Sequence, residues 1–131
     1  MLGHETYDYA VIRVVPKVER AEFLNAGVIL FCSSRRYLGA AVHLDEQRLR
    51  ALDPSIDLEA IRAHLAAIEA ICEGGEQSGP IGRLSLSERF DWLTAPRSSV
   101  LQTSPVHTGM CAEPEALLGH LLNSLVRNIA R

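Results

Sequence analysis

Lysine is almost missing from this chain: Lys17 stands alone, and arginine carries the rest of the basic charge. With 13 basic residues against 16 acidic ones, spread along the chain, the formal net charge is −3. No long-range field therefore draws the molecule toward DNA or an anionic lipid surface, and nucleic acid would need a local basic patch. Cysteine is scarce too. Cys32, Cys72 and Cys111 are odd in number and about forty residues apart, which fits neither a disulfide framework nor the paired spacing of a zinc site. Cys32 and Cys72 read as small core residues. No apolar run approaches the ~18 residues of a membrane span. The opening stretch MLGHETYDYA lacks the basic and apolar regions of a secretory signal, so a cytosolic protein is expected. There is no H-x-H or H-E-x-x-H spacing, no Gly-rich phosphate loop and no G-x-S-x-G elbow, so the residues imply no metal and no cofactor.

What is present describes a folded globule. The chain has 131 residues, 47% of them apolar and 22% charged, close to the globular average and long enough to bury a core without metals or disulfides. One domain over residues 1–131 is expected. YDYAVIRVV, residues 7–15, is rich in β-branched and aromatic residues and stops at Pro16, which cannot donate to a sheet ladder; its apolar residues fall on both faces, as in a strand covered on two sides. EFLNAGVILFC, residues 22–32, predicts a second strand, in which Gly27 points to a bulge or a close backbone approach. YLGAAVHL, residues 37–44, predicts a third strand returning antiparallel, which completes a meander.

Asp45 caps a short helix through EQRLRAL that ends at Asp53-Pro54. Asp57 caps a longer one, where Ile61, Leu65, Ile68 and Ile71 recur at three and four residues until Gly74-Gly75. Ser85 and Glu88 have capping-box spacing ahead of a third, short helix that ends before Ala95-Pro96. Residues 97–104 predict a fourth strand, polar on one face, next to strand one or two. The segment from Val106 leads into Pro114, which opens a last helix with a wide apolar face from Leu117 to Ile129. That face either closes the core or meets a partner, which includes a second copy of the chain. The fold class is α+β: an antiparallel sheet of about four strands packed by two longer helices.

Polar side chains concentrate between Ser87 and Gly109. Arg89 and Arg97 flank a turn, Ser98, Ser99, Gln102 and Ser104 follow on the strand, and His107-Thr108-Gly109 comes just after it. Arginine forks, hydroxyls and amides freed by a glycine are what a phosphate or carboxylate needs, because together they supply many donors and positive charge in a fixed geometry. If the polar strand lies beside the first two, Arg13 and Asn25 join Arg89, Arg97, Ser98, Gln102 and His107 in one anion-binding cleft. Arg13 stands out because a guanidinium within an apolar strand must find a carboxylate or carbonyls, or stay partly wet.

The plainer alternative has Arg89 paired with Glu88, Asp91 or an acid of the first strands, the serines facing water and His107 capping a turn. A catalytic version, with His107 as general acid or base and Ser99, Ser104 or Cys111 as nucleophile, has no orienting carboxylate behind the histidine. His4 reads as terminal and solvated, His43 as a sheet residue and His64 as a helix-surface one, and His120 comes near His107 only if the last helix folds back. Arg20, Arg35 and Arg36 with Tyr7, Tyr9 and Tyr37 could form a stacking surface for unpaired bases, but Asp8, Glu19 and Glu22 are interleaved with them and weigh against it.

Two blocks, YDYAVIRVVPKVERAEFLNAGVILFC and ERFDWLTAPRSSVLQTSPVHTG, carry a family resemblance that spans nearly the whole chain. They are similar to the signature blocks of a small bacterial family, domain of unknown function DUF3037. The blocks correspond here to Arg13, Pro16, Arg20, Phe23, Asn25 and Gly27, and to Arg89, Phe90, Trp92, Arg97, Ser98, Gln102, His107 and Gly109. The resemblance implies an α+β bacterial cytosolic domain with no assigned residue roles. It also implies a partner or accessory role beside a kinase-like protein similar to the HipA persistence toxins.

Overall fold

The computed structural model describes residues 5–129. Three strands open the chain: β1 (Glu5–Val14), β2 (Leu24–Cys32) and β3 (Tyr37–Val42). A single 3₁₀ turn at Val18–Arg20 reverses the chain between β1 and β2 and closes on Ala21 in the left-handed region, at φ 58°. Helices α1 (Glu46–Leu52) and α2 (Leu58–Glu73) follow, then α3 (Leu86–Thr94), β4 (Leu101–Thr103), β5 (His107–Cys111) and α4 (Pro114–Leu121), which widens into a π-helical turn at Leu122–Arg127. The expected caps are made: Asp45 accepts from the amide of Arg48 and Asp57 from that of Ala60, each at 3.1 Å. Ser85 and Glu88 form a full capping box.

All strand pairings are antiparallel, in the order β3-β2-β1-β4, with β5 also on β1. The α+β class stands, with five strands. The added strand comes from the fourth expected one: residues 97–104 contract to Leu101–Thr103, and β5 forms from the segment that reads as a connection. The two lie end to end along β1. Between them the pairing with β1 slips by one residue, from Thr103 opposite Ile12 to His107 opposite Tyr9. Ser104 repairs the break, its amide donating to the Val11 carbonyl at 2.8 Å and its hydroxyl oxygen accepting the Val11 amide at 2.8 Å.

Pairing of β1 with β2 slips between Ile12, opposite Gly27, and Arg13, opposite Asn25, so Ala26 is an extra residue in β2. One extra residue reverses the alternation of side chains between the faces. Leu24 and Ala26 accordingly join Ile12 and Val14 under α2 and α3, while Val28, Leu30 and Cys32 face the opposite side under Leu118 and Val126. Gly27 is where two strands come closest, since a Cβ there would lie 2.8 Å from the Ala41 carbonyl. The sheet is thus covered on both faces, which accounts for the apolar residues on both sides of β1. The last helix lays Leu117, Leu118, Leu121, Leu122 and Val126 on the sheet and leaves Leu125 and Ile129 exposed.

Candidate functional site

The register of β1 brings three of the expected site residues into one row. Arg13 is opposite Asn25 on β2 and opposite Gln102 on β4. The bulge at Ala26 is what turns Asn25 to the same face as Arg13. From there the Asn25 side-chain amide donates to the Leu125 carbonyl of the π-helical turn at 3.2 Å. The Arg13 guanidinium carbon sits 4.2 Å from the centroid of the Phe23 ring, a cation–π stack.

Two polar atoms in this row have no partner. The Nε of Arg13 and the Oδ1 of Asn25 are both buried and make no hydrogen bond among the described residues. Among the described residues no carboxylate forms an ion pair with Arg13. A buried donor and acceptor without partners each cost about 1–3 kcal/mol, and a cation more. Beside the row a polar cavity of about 250 Å³ opens between the start of β2, α1 and the π-helical turn, lined by Phe23, Asn25, Arg48, Ser124, Leu125 and Asn128. Arg48 likewise has no carboxylate partner among the described residues.

The other expected residues lie elsewhere. Arg89 is buried on the α2–α3 side of the sheet, where its Nη1 donates to the carbonyls of Ile71 at 2.8 Å and Cys72 at 3.0 Å, and its Nε to Leu84 at 3.0 Å. It satisfies the last carbonyls of α2, which a helix end cannot satisfy itself. It pairs with neither Glu88, which the capping box occupies, nor Asp91. Arg97 is exposed, donates to the Trp92 carbonyl and lies 4.7 Å above the Trp92 ring centroid. Ser98 is exposed at the end of that turn. Gln102 folds back to donate to the Ser99 carbonyl at 2.9 Å.

His107 is exposed on β5, its ring 5.2 Å from that of Tyr9. Tyr9 is four residues from Arg13 along β1, roughly 13 Å at the usual strand rise, so His107 does not share the Arg13 pocket. The hydroxyls offered as nucleophiles are engaged: Ser99 donates to the Leu101 carbonyl at 2.7 Å and Ser104 to the Pro105 carbonyl at 2.9 Å. The side chain of Cys111 and all of His4 lie outside the described residues. Burial pushes the Cys72 thiol up to about 12, so it is a packing group.

Arg20 forks onto Glu22 at 2.8 and 3.0 Å, and Arg35 lies between Glu5 and Glu113, so these arginines carry their own carboxylates. Among the described residues no three His, Cys, Asp or Glu side chains gather to hold a metal ion, and no helix is long and apolar enough to cross a membrane.

Residues 9–126 match the family model described as "Protein of unknown function (DUF3037)". The chain belongs to the DUF3037 family. The matched span runs from Tyr9 through the π-helical turn, so it includes the whole Arg13–Asn25–Gln102 row and the cavity lining up to Val126. No curated protein and no solved structure matches the chain significantly. Arg48, Ser124 and Asn128 are the polar lining residues that reading the sequence missed. None carries a local signal, because α1 and the last helix bring them to Asn25 only through the tertiary fold.

Proposed function

We propose that this DUF3037 protein is a binding or accessory module whose polar pocket beside Arg13 holds an anionic group, a phosphate or a carboxylate. The observation that carries this reading is the pair of unpartnered buried atoms, Arg13 Nε and Asn25 Oδ1, on facing residues of which Asn25 lines the cavity, while Arg13 stacks on another lining residue, Phe23. A guanidinium without a carboxylate calls for negative charge. The bare Asn25 carbonyl calls for a donor next to that charge, which a singly protonated phosphate or a hydroxyl beside a phosphate supplies. Phe23 keeps the guanidinium plane in position, and Arg48 adds a second positive charge at the rim. The protein partner, in this reading, is the kinase-like protein that the family resemblance implies, and the anionic group belongs to it or to a metabolite.

The test is titration of the folded protein with inorganic phosphate and with phosphoserine, followed through the arginine Nε–H resonances. Binding is expected to move the Arg13 signal. Arg13→Ala and Asn25→Leu are expected to weaken it by about 1 to 3 kcal/mol, the usual cost of losing a charge-assisted contact. Wild-type protein that takes up neither anion at millimolar concentration, or folded variants that bind as well as wild type, would overturn the pocket.

A further inference from the structure

A second cavity, of about 260 Å³, lies on the α2–α3 side of the sheet, between those helices and β4. Ile68, Ile71 and Leu93 make its apolar floor, with Trp92, Arg97 and His64 around it. Trp92 is 41% exposed, a large apolar surface left open to solvent. Among the described residues no carboxylate lines this groove, while Arg97 and His64 do.

The groove runs along an open sheet edge. On either side of β4, the Val100 carbonyl accepts from the Val15 amide at 2.7 Å and the Ser104 amide donates to the Val11 carbonyl at 2.8 Å, so the even-numbered residues direct their backbone into β1. Alternation in an antiparallel ladder turns the backbone of Ser99, Leu101 and Thr103 outward. The carbonyls of Ser99 and Leu101 are already taken, by Gln102 Nε2 and by the Ser99 hydroxyl. What remains on the edge is mainly amide donors, beside one arginine and one histidine.

We propose that this edge and groove together receive an extended peptide of a partner protein. The peptide adds as a strand against Leu101–Thr103, seats an apolar side chain over Ile68, Ile71 and Leu93, and brings a carboxylate side chain to Arg97. Main-chain pairing supplies affinity in such strand addition, and alternate side chains supply selectivity. A strand continuing the sheet past β4 points every second side chain at the helix layer, where the groove is. The donor-rich edge and cationic rim select an acidic segment. This surface shares Gln102 with the Arg13 row but none of the lining of the anion cavity, and its proposal does not rest on that pocket.

The experiment is to pan a random octapeptide display library against the full-length protein, resynthesise enriched peptides and titrate them by the fluorescence of Trp92, the only tryptophan in the chain. Enriched peptides are expected to alternate apolar and polar residues and to carry Asp or Glu. Ala67→Arg, which fills the groove from an exposed helix position, and Arg97→Glu are each expected to weaken binding tenfold or more, by order of magnitude. N-methylation of alternate peptide amides, which needs no change to the protein, is expected to abolish binding in one register and spare it in the other. A library without enrichment, peptides that bind Ala67→Arg as well as wild type, or insensitivity to N-methylation in both registers would overturn the proposal. A concentration-dependent dimer in sedimentation that Thr103→Pro abolishes would overturn it in favour of a second copy on the same edge.

Discussion

Arg89 shows how a charged side chain inside a polar-looking stretch comes to serve a helix rather than a ligand. Its three donors meet the carbonyls of Ile71, Cys72 and Leu84 within the core, and the guanidinium adds positive charge at the negative end of the α2 dipole. Gly74 leaves the space: it sits at φ 77°, and a Cβ there would lie 2.7 Å from Arg89 Nη1. Arg89→Met keeps the apolar stem but leaves buried acceptors bare. A stability loss of about 3 kcal/mol or more is expected in urea unfolding, with the slope unchanged. Arg89→Met protein as stable as wild type would mean that these carbonyls reach water. Arg13 presents the opposite case. Its charge has an aromatic face and no acceptor at Nε, and that difference, rather than residue type, is what separates a packing arginine from a candidate binding one.

Among the elements, α3 is the one whose local chemistry is most complete. The Ser85 amide and hydroxyl both donate to the Glu88 carboxylate at 3.0 Å, and these bonds hold its pKa below the usual carboxylate value of 4.5. A carboxylate whose folded pKa is lowered contributes stability above its unfolded pKa and loses it as pH falls through the folded one. Asp53, held below its ordinary value by the Ser55 hydroxyl and amide, has the same sign. Glu88→Gln keeps acceptor and donor but cannot titrate. Its stability, measured by urea unfolding across the acid range, is expected to fall less steeply than wild type below pH 4.5. Parallel curves for the two proteins would show that the box does not contribute to acid sensitivity. The β4–β5 edge is the converse of α3, because its conformation depends on β1. HTGMC has no strand pattern of its own, and Gly109 leaves the space that the Tyr7 ring occupies, the Tyr7 hydroxyl lying 2.6 Å from where a Cβ would be.

At the scale of the molecule, one sheet serves two helical layers. Ile61, Leu65, Phe90 and Leu93 pack on one face, Leu118 and Val126 on the other, and β1 and β2 contribute to both. A sheet shared in this way couples the layers, so the fold is expected to unfold in one step. Ile61→Ala and Leu118→Ala should each lower a single urea transition by about 2 to 5 kcal/mol. A separate early transition in Leu118→Ala protein would show that the α4 layer opens alone. The same sandwich separates the two surfaces proposed above, with the Arg13 pocket on the α4 side and the β4 groove under α2 and α3.

The α+β class, the meander and the capped helices were legible in the residues, because each rests on contacts within a few positions along the chain: a capping aspartate, a glycine stop, an alternation of apolar residues. The row of Arg13, Asn25 and Gln102 was legible conditionally, as residues that share a cleft if the polar strand lies beside the first two. Their meeting depends on a one-residue slip at Ala26 and on β4 joining the far edge of β1. The separation of Arg89, Arg97 and His107 from that row was not legible at all. Arg89 reaches a helix end 17 and 18 residues away in sequence, and which carbonyls lack donors is known only once the helices are packed. Local patterning specifies elements through short-range sterics and hydrogen bonds, whereas a site depends on which face of which strand each side chain reaches, a matter of long-range register that a one-residue slip reverses.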